Sequence, residues 1–171
     1  GLAAALQQAW TPQNLAVRSL LNTALILCAD HELNVSAFVA RVVASAQSTP
    51  YGVVQAGLAA LQGARHGGHT ERAAALLREA RTSGVRVAVA ARLRRGEAVP
   101  GFGHTLYPAG DPRGQLLLDL VAGEFGGGTA VPIIQELIQV VAEATGQLPT
   151  IDLGLAALAL AAELPPGAPL A

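Results

Sequence analysis

Apolar residues recur at helical spacing through most of this chain, and glycines and prolines divide the pattern into short segments. In residues 129–144, for example, Val131, Ile134, Leu137 and Val141 fall on one face of a helix. The sequence shows no convincing strand pair and no internal repeat, so we expect an all-α fold. The predicted helices cover residues 1–10, 13–29, 35–46, 51–61, 70–80, 85–95, 115–122, 129–144 and 153–163. In the second, Thr11 and Pro12 give the start signal, and Leu15 and Cys28 fall on its apolar, core-facing positions.

The chain is unusually apolar for its 171 residues, with 51% hydrophobic residues and a mean hydropathy of +0.42. No apolar run reaches the roughly 18 to 20 residues that a membrane-spanning helix needs. We therefore expect no membrane association, and instead helices that are apolar on more than one face because another subunit covers them. The segments at about 35–46 and 51–61 have little polar face to give to water. They predict a homodimer interface.

Charge and cysteine content exclude several classes of protein. The net charge is −1, from 11 basic and 12 acidic residues, which gives no electrostatic basis for binding nucleic acid. The single Cys28 excludes a disulfide framework and indicates a reducing compartment, so we expect a cytoplasmic protein. His66 and His69 lack a third ligand at a recognisable spacing, so we expect no metal site. The chain starts with Gly1 and contains no methionine, which predicts a processed chain, an excised domain or the ordered part of a longer protein.

The loop of residues 99–113 reads VPGFGHTLYPAGDPR and looks least like ordinary packing. Gly101 and Gly103 lack β-carbons, so a ligand could approach the backbone there. His104 follows directly, outside any helical stripe. Arg113 offers a planar set of donors suited to a carboxylate. The loop predicts recognition of a small oxo-acid or dianion; the alternative is a plain connection with a surface histidine and arginine.

Three of the four histidines, His31, His66 and His104, lie at breaks between predicted helices, and Asp152 lies at a fourth break. Residues at helix ends can converge on one cleft even when they are distant in sequence. The positive end of the helix after His66 favours a neutral imidazole there, which can donate a hydrogen bond. The alternative for Asp152 is a helix N-cap, a position that aspartate favours.

Four segments together identify a family. Residues 29–38, 64–71, 100–113 and 149–158 read ADHELNVSAF, ARHGGHTE, PGFGHTLYPAGDPR and PTIDLGLAAL. In order and spacing they closely resemble the signature segments of citrate synthases, and the resemblance covers essentially the whole chain. It implies the citrate synthase-like helical fold.

The resemblance also implies a role for each candidate residue. His31 and Arg113 would hold the carboxylates of oxaloacetate, and His104 would bind and polarise its ketone. His66 would donate a hydrogen bond to the thioester oxygen of acetyl-CoA, while Asp152 would take a proton from the methyl group. Enolisation next to a thioester requires a base and a hydrogen-bond donor to the thioester oxygen that act at the same time.

Coenzyme A would enter as the thioester co-substrate, with no permanently bound cofactor. The resemblance places its contact at the backbone of Val99, Gly101 and Phe102. Citrate synthases commonly carry a basic residue just after the loop histidine or a few positions on, where this chain has Thr105 and Pro108. This departure affects the expected affinity for the phosphates of coenzyme A and not the expected chemistry.

The resemblance divides the chain into domains. Residues 1–68 would be a remnant of the large domain, including the dimer helices. Residues 69–164 would form the small, mobile domain, and residues 165–171 would return towards the large domain. Substrate-binding arginines that the family carries further along are absent, so we expect this chain by itself to be inactive.

Three functions stay open at this point. The first is an acyltransferase, citrate (Si)-synthase-like, in which the parent protein condenses acetyl-CoA with oxaloacetate to citrate and coenzyme A. The second is a 2-methylcitrate synthase that uses propionyl-CoA. The third is a non-catalytic helical dimerisation or ligand-binding module, because a shared fold does not guarantee activity.

Overall fold

The computed structural model describes residues 1–29 and 34–169. The all-α prediction is confirmed, since no strand or sheet forms within these ranges and Phe102 and Pro149 make only an isolated antiparallel bridge. The described helices are α1 (Leu2–Trp10), α2 (Val17–Leu27), α3 (Val35–Ser45), α4 (Pro50–Leu61), α5 (Gly68–Ser83), α6 (Val85–Arg94), α7 (Pro112–Phe125), α8 (Ala130–Thr145) and α9 (Ile151–Ala161).

Side-chain caps explain where three of these helices begin. The Asn34 side chain accepts a hydrogen bond from an N–H in the first turn of α3, and Thr49 does the same for α4. Asp111 caps α7, whose first residue is Pro112. These starts lie within a few residues of the predicted ones because each cap is a local signal.

The start of α2 was predicted wrongly. Thr11 and Pro12 were expected to begin a helix at residue 13, but α2 begins at Val17. The Thr11 N–H instead donates to the Gln7 carbonyl, and Gln7 Nε2 donates to the Thr11 carbonyl, so Thr11 closes α1. Leu15 consequently lies in the turn before α2 and is 70% exposed, although it was expected in the core.

Helix α9 lies at the centre of the described part of the chain. Leu153, Ala156 and Ala157 pack in one buried cluster with residues of α5, α6 and α8. Leu158 and Ala162 pack in a second cluster with residues of α1, α2 and α7. A helix that is apolar on all sides is stable only when it is surrounded, and this explains the near-absence of polar residues in α9.

Helices α3 and α4 pack against each other and expose apolar side chains. Both lie wholly within the described residues, and none of their side chains is buried. Phe38, Val42, Val54 and Leu58 are each more than half exposed. This pair supports the predicted interface by its chemistry, and the homodimer stays a prediction.

No described helix is both long and apolar enough to cross a membrane.

The predicted domain division at residue 68 stays a prediction. Helices α1 and α2, which precede residue 68, pack against α7 and the end of α9. The second cluster therefore combines residues from both predicted domains.

Candidate active site

A cleft of about 890 Å³ opens where several helix ends meet. His66, just before α5, and His104, in the loop before α7, both line it. Arg113 enters from the first turn of α7 and Asp152 from the first turn of α9. The structure thus brings together four side chains that the sequence singled out from three separate segments.

The other predicted site residues are placed differently. His31 lies outside the described residues. Val99, Gly101 and Phe102 are buried in the first cluster or beside it and are not among the residues that line the cleft. The predicted coenzyme A contact at this backbone stays a prediction.

The geometry around Gly101 shows why glycine is needed there. Its φ is +87°, and a β-carbon would lie 3.1 Å from the Leu153 Cβ and 3.2 Å from the Ala73 Cβ. Its N–H donates to His69 Nε2 at 3.2 Å, and its carbonyl accepts the Thr150 N–H at 2.9 Å. Both backbone groups of Gly101 are therefore already used inside the protein. A coenzyme could bind the Gly101 N–H only after His69 moved away.

His66 is held by a hydroxyl from another helix. Its Nε2 lies 2.9 Å from Ser36 Oγ in the first turn of α3. Ser36 Oγ also lies 2.9 Å from Asn34 Oδ1, the cap of that helix. A hydroxyl has one proton, so the partner to which Ser36 donates decides which ring nitrogen of His66 carries hydrogen.

Asp152 does not cap its helix, contrary to the alternative reading, because Thr150 occupies the N-cap position of α9. Its carboxylate lies in the first turn, at the positive end of the helix, where a negative charge is favoured. The Thr70 hydroxyl donates to Oδ1, and the Thr150 hydroxyl lies 3.4 Å from Oδ2. The carboxylate is half-buried and lines the cleft.

His104 is oriented by its own loop. Its Nδ1 accepts the Leu106 N–H at 3.1 Å, and its ring lies 5.0 Å from the Tyr107 ring. Because Nδ1 accepts, the neutral ring carries its proton on Nε2. His104 can therefore donate one hydrogen bond from Nε2.

Arg113 is paired with a buried carboxylate. Its Nε and Nη2 donate to the two oxygens of Asp111, at 3.0 and 2.9 Å, while its guanidinium carbon lies 5.1 Å from the Tyr107 ring centre. Burial disfavours the charge on Asp111, but hydrogen bonds from Arg113 and from the Ile151 N–H outweigh it and lower the Asp111 pKa. The Asp111 hydrogen bond also raises the pKa of Arg113. The pair stays charged and presents a fixed cation to the cleft.

Three residues that hold the side chains of the site in place were not predicted from the sequence. Thr70 holds Asp152, Ser36 holds His66, and Asp111 holds Arg113. Only Asp111 had a readable signal, since an aspartate before a proline is a typical helix start. Cys28 was expected only as part of an apolar helix, yet it lines the cleft directly after α2.

Comparison with known proteins identifies the family of the chain. Residues 1–170 match the family "Citrate synthase, C-terminal domain". The chain is 41% identical over 100 residues to citrate synthase 2 of Bacillus subtilis, covering 58% of this chain and 27% of that protein. It is 37% identical over 141 residues to 2-methylcitrate synthase of Mycobacterium tuberculosis, covering 80% of this chain and 36% of that protein.

Solved structures show the same fold. A citryl-CoA lyase from Hydrogenobacter thermophilus superposes with a TM-score of 0.82 at 27% identity, covering 94% of this chain and 65% of that one. A citrate synthase from Thermoplasma acidophilum, solved with carboxymethyl coenzyme A and oxaloacetate, gives 0.77 at 27% identity, covering 92% and 44%. The chain spans about a quarter to a little over a third of the length of the curated relatives given above. By its sequence match over nearly all residues and by its fold, the chain belongs to the citrate synthase family.

Proposed function

We propose that the intact protein carrying this chain condenses an acyl-CoA with oxaloacetate, with acetyl-CoA giving citrate and coenzyme A. The observation that carries the proposal is the convergence of His66, His104, Arg113 and Asp152 on one cleft. His66 supplies a hydrogen bond to the thioester oxygen, and His104 activates the ketone. Arg113 holds a carboxylate, and Asp152 is the base. His31 is proposed as a second carboxylate anchor on the resemblance alone.

The first step is enolisation of the thioester. Asp152 takes a proton from the methyl carbon, the electron pair of the broken C–H bond forms the C=C bond of an enolate, and the carbonyl π pair moves onto the thioester oxygen. His66 stabilises the developing charge on the thioester oxygen. For His66 to donate from Nδ1, the Ser36 hydroxyl must turn from Asn34 Oδ1, its acceptor in this structure, and donate to His66 Nε2. Asn34 Oδ1 then still accepts the Ala37 N–H at 2.8 Å, so this arrangement leaves the cap in place.

The second step forms the carbon–carbon bond. The enolate carbon attacks the ketone carbon of oxaloacetate, and the ketone oxygen takes the Nε2 proton of His104 to become the hydroxyl of citryl-CoA, after which His104 recovers a proton from water. Arg113 holds a carboxylate with the guanidinium edge that Asp111 leaves open. Water then cleaves the thioester, which releases citrate and coenzyme A.

The acyl group of the thioester differs between members of this family, since the relatives include both citrate and 2-methylcitrate synthases. We propose acetyl-CoA as the donor and propionyl-CoA as the alternative. The ratio of kcat/KM for the two thioesters, measured with oxaloacetate, decides between them. The proposed coenzyme contact at Val99, Gly101 and Phe102 rests on the resemblance.

The experiment that tests the function is oxaloacetate-dependent release of free thiol by the intact protein. Asp152→Asn should abolish thiol release and leave oxaloacetate binding unchanged in calorimetry, because it removes the base and no carboxylate anchor. Asp119→Asn, an exposed position on α7, is the matched control. Oxaloacetate binding without thiol release from either thioester in the unmodified protein would favour a ligand-binding module.

We also propose that a second copy of the chain covers α3 and α4. Their exposed apolar side chains are unfavourable in water, and a two-fold dimer would bury the same face of both copies.

A further inference from the structure

Thr70 is a buried polar side chain at the edge of the cleft. It lies in the first turn of α5 with 4% of its surface exposed. Its hydroxyl donates to Oδ1 of Asp152, which is 82 residues further along the chain. Neither the sequence pattern nor the resemblance gives this threonine a role.

The two oxygens of Asp152 are held unequally within the described residues. The Thr70 hydroxyl lies 2.5 Å from Oδ1, whereas the Thr150 hydroxyl lies 3.4 Å from Oδ2. Hydroxyl hydrogen bonds normally measure about 2.5–3.0 Å, so the contact to Oδ2 is weak. Oδ2 therefore keeps lone pairs available for a proton.

The surroundings make the Thr70 hydroxyl a fixed donor. A β-branched side chain is stiff about χ1. The helix that carries Thr70 packs on α9 through the side chains of Ala73 and Leu153, both fully buried. A donor fixed in this way restricts rotation of the carboxylate, which water at the same place would not do.

We propose that Thr70 is a positioning residue for the condensation, which pins Oδ1 of Asp152 so that Oδ2 faces the thioester methyl group as the proton acceptor. The inference rests on the proposed function. The hydroxyl of Thr70 keeps its own proton throughout. The proton that moves in this step is the one from the methyl carbon to Oδ2, as the enolate forms.

The experiment compares Thr70→Val, which keeps the shape and loses the hydroxyl, with Thr70→Ser, which keeps the hydroxyl. The control is Thr82→Val in the last turn of the same helix, where the hydroxyl only bonds backbone carbonyls. Each intact variant is assayed for thiol release, for exchange of the acetyl-CoA methyl hydrogens into deuterated water, and for oxaloacetate binding by calorimetry.

Thr70→Val should lower kcat and methyl exchange about tenfold to a hundredfold, as expected for loss of a hydrogen bond to a charged group. The dissociation constant for oxaloacetate should stay within twofold. Thr70→Ser should recover most of both rates, and Thr82→Val should match the unmodified protein. Thermal unfolding of each variant shows whether it is folded.

Three results would overturn the inference, and only the last also overturns the proposed function. If the unmodified protein is active and folded Thr70→Val keeps its kcat and exchange rate, Thr70 does not position the base while the proposed function stands. An equal loss in Thr70→Ser and Thr70→Val would likewise point to packing alone. If the unmodified protein shows neither exchange nor condensation, the proposed function fails and the role of Thr70 fails with it.

Discussion

Asp111 accepts two hydrogen bonds from one edge of the Arg113 guanidinium, with Nε–Oδ1 and Nη2–Oδ2 distances of 3.0 and 2.9 Å. The same carboxylate accepts the Arg113 N–H at 3.1 Å and the Ile151 N–H at 3.0 Å. One fully buried carboxylate therefore fixes the start of α7, the proposed oxaloacetate anchor and the start of α9.

Replacing Asp111 by Asn should destabilise the protein and weaken oxaloacetate binding together. The amide cannot accept from both nitrogens of Arg113, so a partly buried cation loses its partner, which costs about 3 kcal/mol or more in comparable sites. Urea unfolding and calorimetry measure the two effects. The control is Glu97→Gln, which breaks a similar pair with Arg95 on the surface and should change the stability little. Equal stabilities for the two variants would contradict the prediction.

The contribution of Asp111 should disappear in acid. Its pKa is lowered from the ordinary 3.8, because hydrogen bonds from Arg113 and Ile151 outweigh the effect of burial. As pH falls below the ordinary value, the unfolded chain takes up the proton first, so the stabilisation is complete above that value and is lost as pH approaches the folded pKa. Urea unfolding of the unmodified protein and Asp111→Asn between pH 6 and about 2.5 should show their stabilities converging at the acid end. A constant difference over this range would count against it.

Gly114 and Gly123 lie on the same helix and should respond oppositely to alanine. A β-carbon at Gly114 would lie 2.5 Å from the backbone C and O of Thr150 and 2.8 Å from the Ile151 N. Backbone atoms at the start of α9 cannot move aside cheaply, so Gly114→Ala should lose about 2–3 kcal/mol or more of unfolding free energy. Gly123 faces open space, and Gly123→Ala should gain about 0.5–1 kcal/mol from helix propensity. Urea unfolding of both variants provides the measurement; a stable Gly114→Ala would mean that α7 and α9 do not approach so closely.

The Cys28 thiol should react slowly and report on the cleft. Burial raises its pKa above the ordinary 9.0, an effect that Arg113 opposes and that Asp152 and Asp111 increase. Cys28 is the only cysteine, so alkylation by iodoacetamide can be followed by intact mass. The rate in the folded protein should rise at a higher pH than in the urea-unfolded chain, which serves as the control. Bound oxaloacetate should slow it further. The same pH dependence in both states would refute the partial burial of Cys28.

A charge on the α3–α4 face should separate the proposed dimer. Val54 on α4 and Val87 on α6 are each 58% exposed, so they make a matched pair. Val54→Asp should shift the sedimentation coefficient of the intact protein to that of a monomer, because the aspartate would be buried without a partner. Val87→Asp should leave the coefficient unchanged. Dissociation by both variants, or by neither, would place the interface elsewhere.

The sequence by itself determined the helices and most of their limits. Caps such as Asn34, and apolar spacings such as that from Val131 to Val141, act within a few residues, so they can be read without knowing the fold. Its error at Thr11 has the same origin. A threonine before a proline fits a helix start by local rules, yet Gln7 uses Thr11 to end α1.

Only the tertiary structure decided which helix ends share a cleft and what holds the side chains there. Motif order suggested that His66, His104, Arg113 and Asp152 belong together, but it did not reveal the contacts that orient them. The Ile151–Asp111 bond joins residues 40 apart in sequence and the Thr70–Asp152 bond joins residues 82 apart. Such bonds depend on how α5 and α7 pack around α9, and packing is a property of the whole buried core that local spacing does not encode.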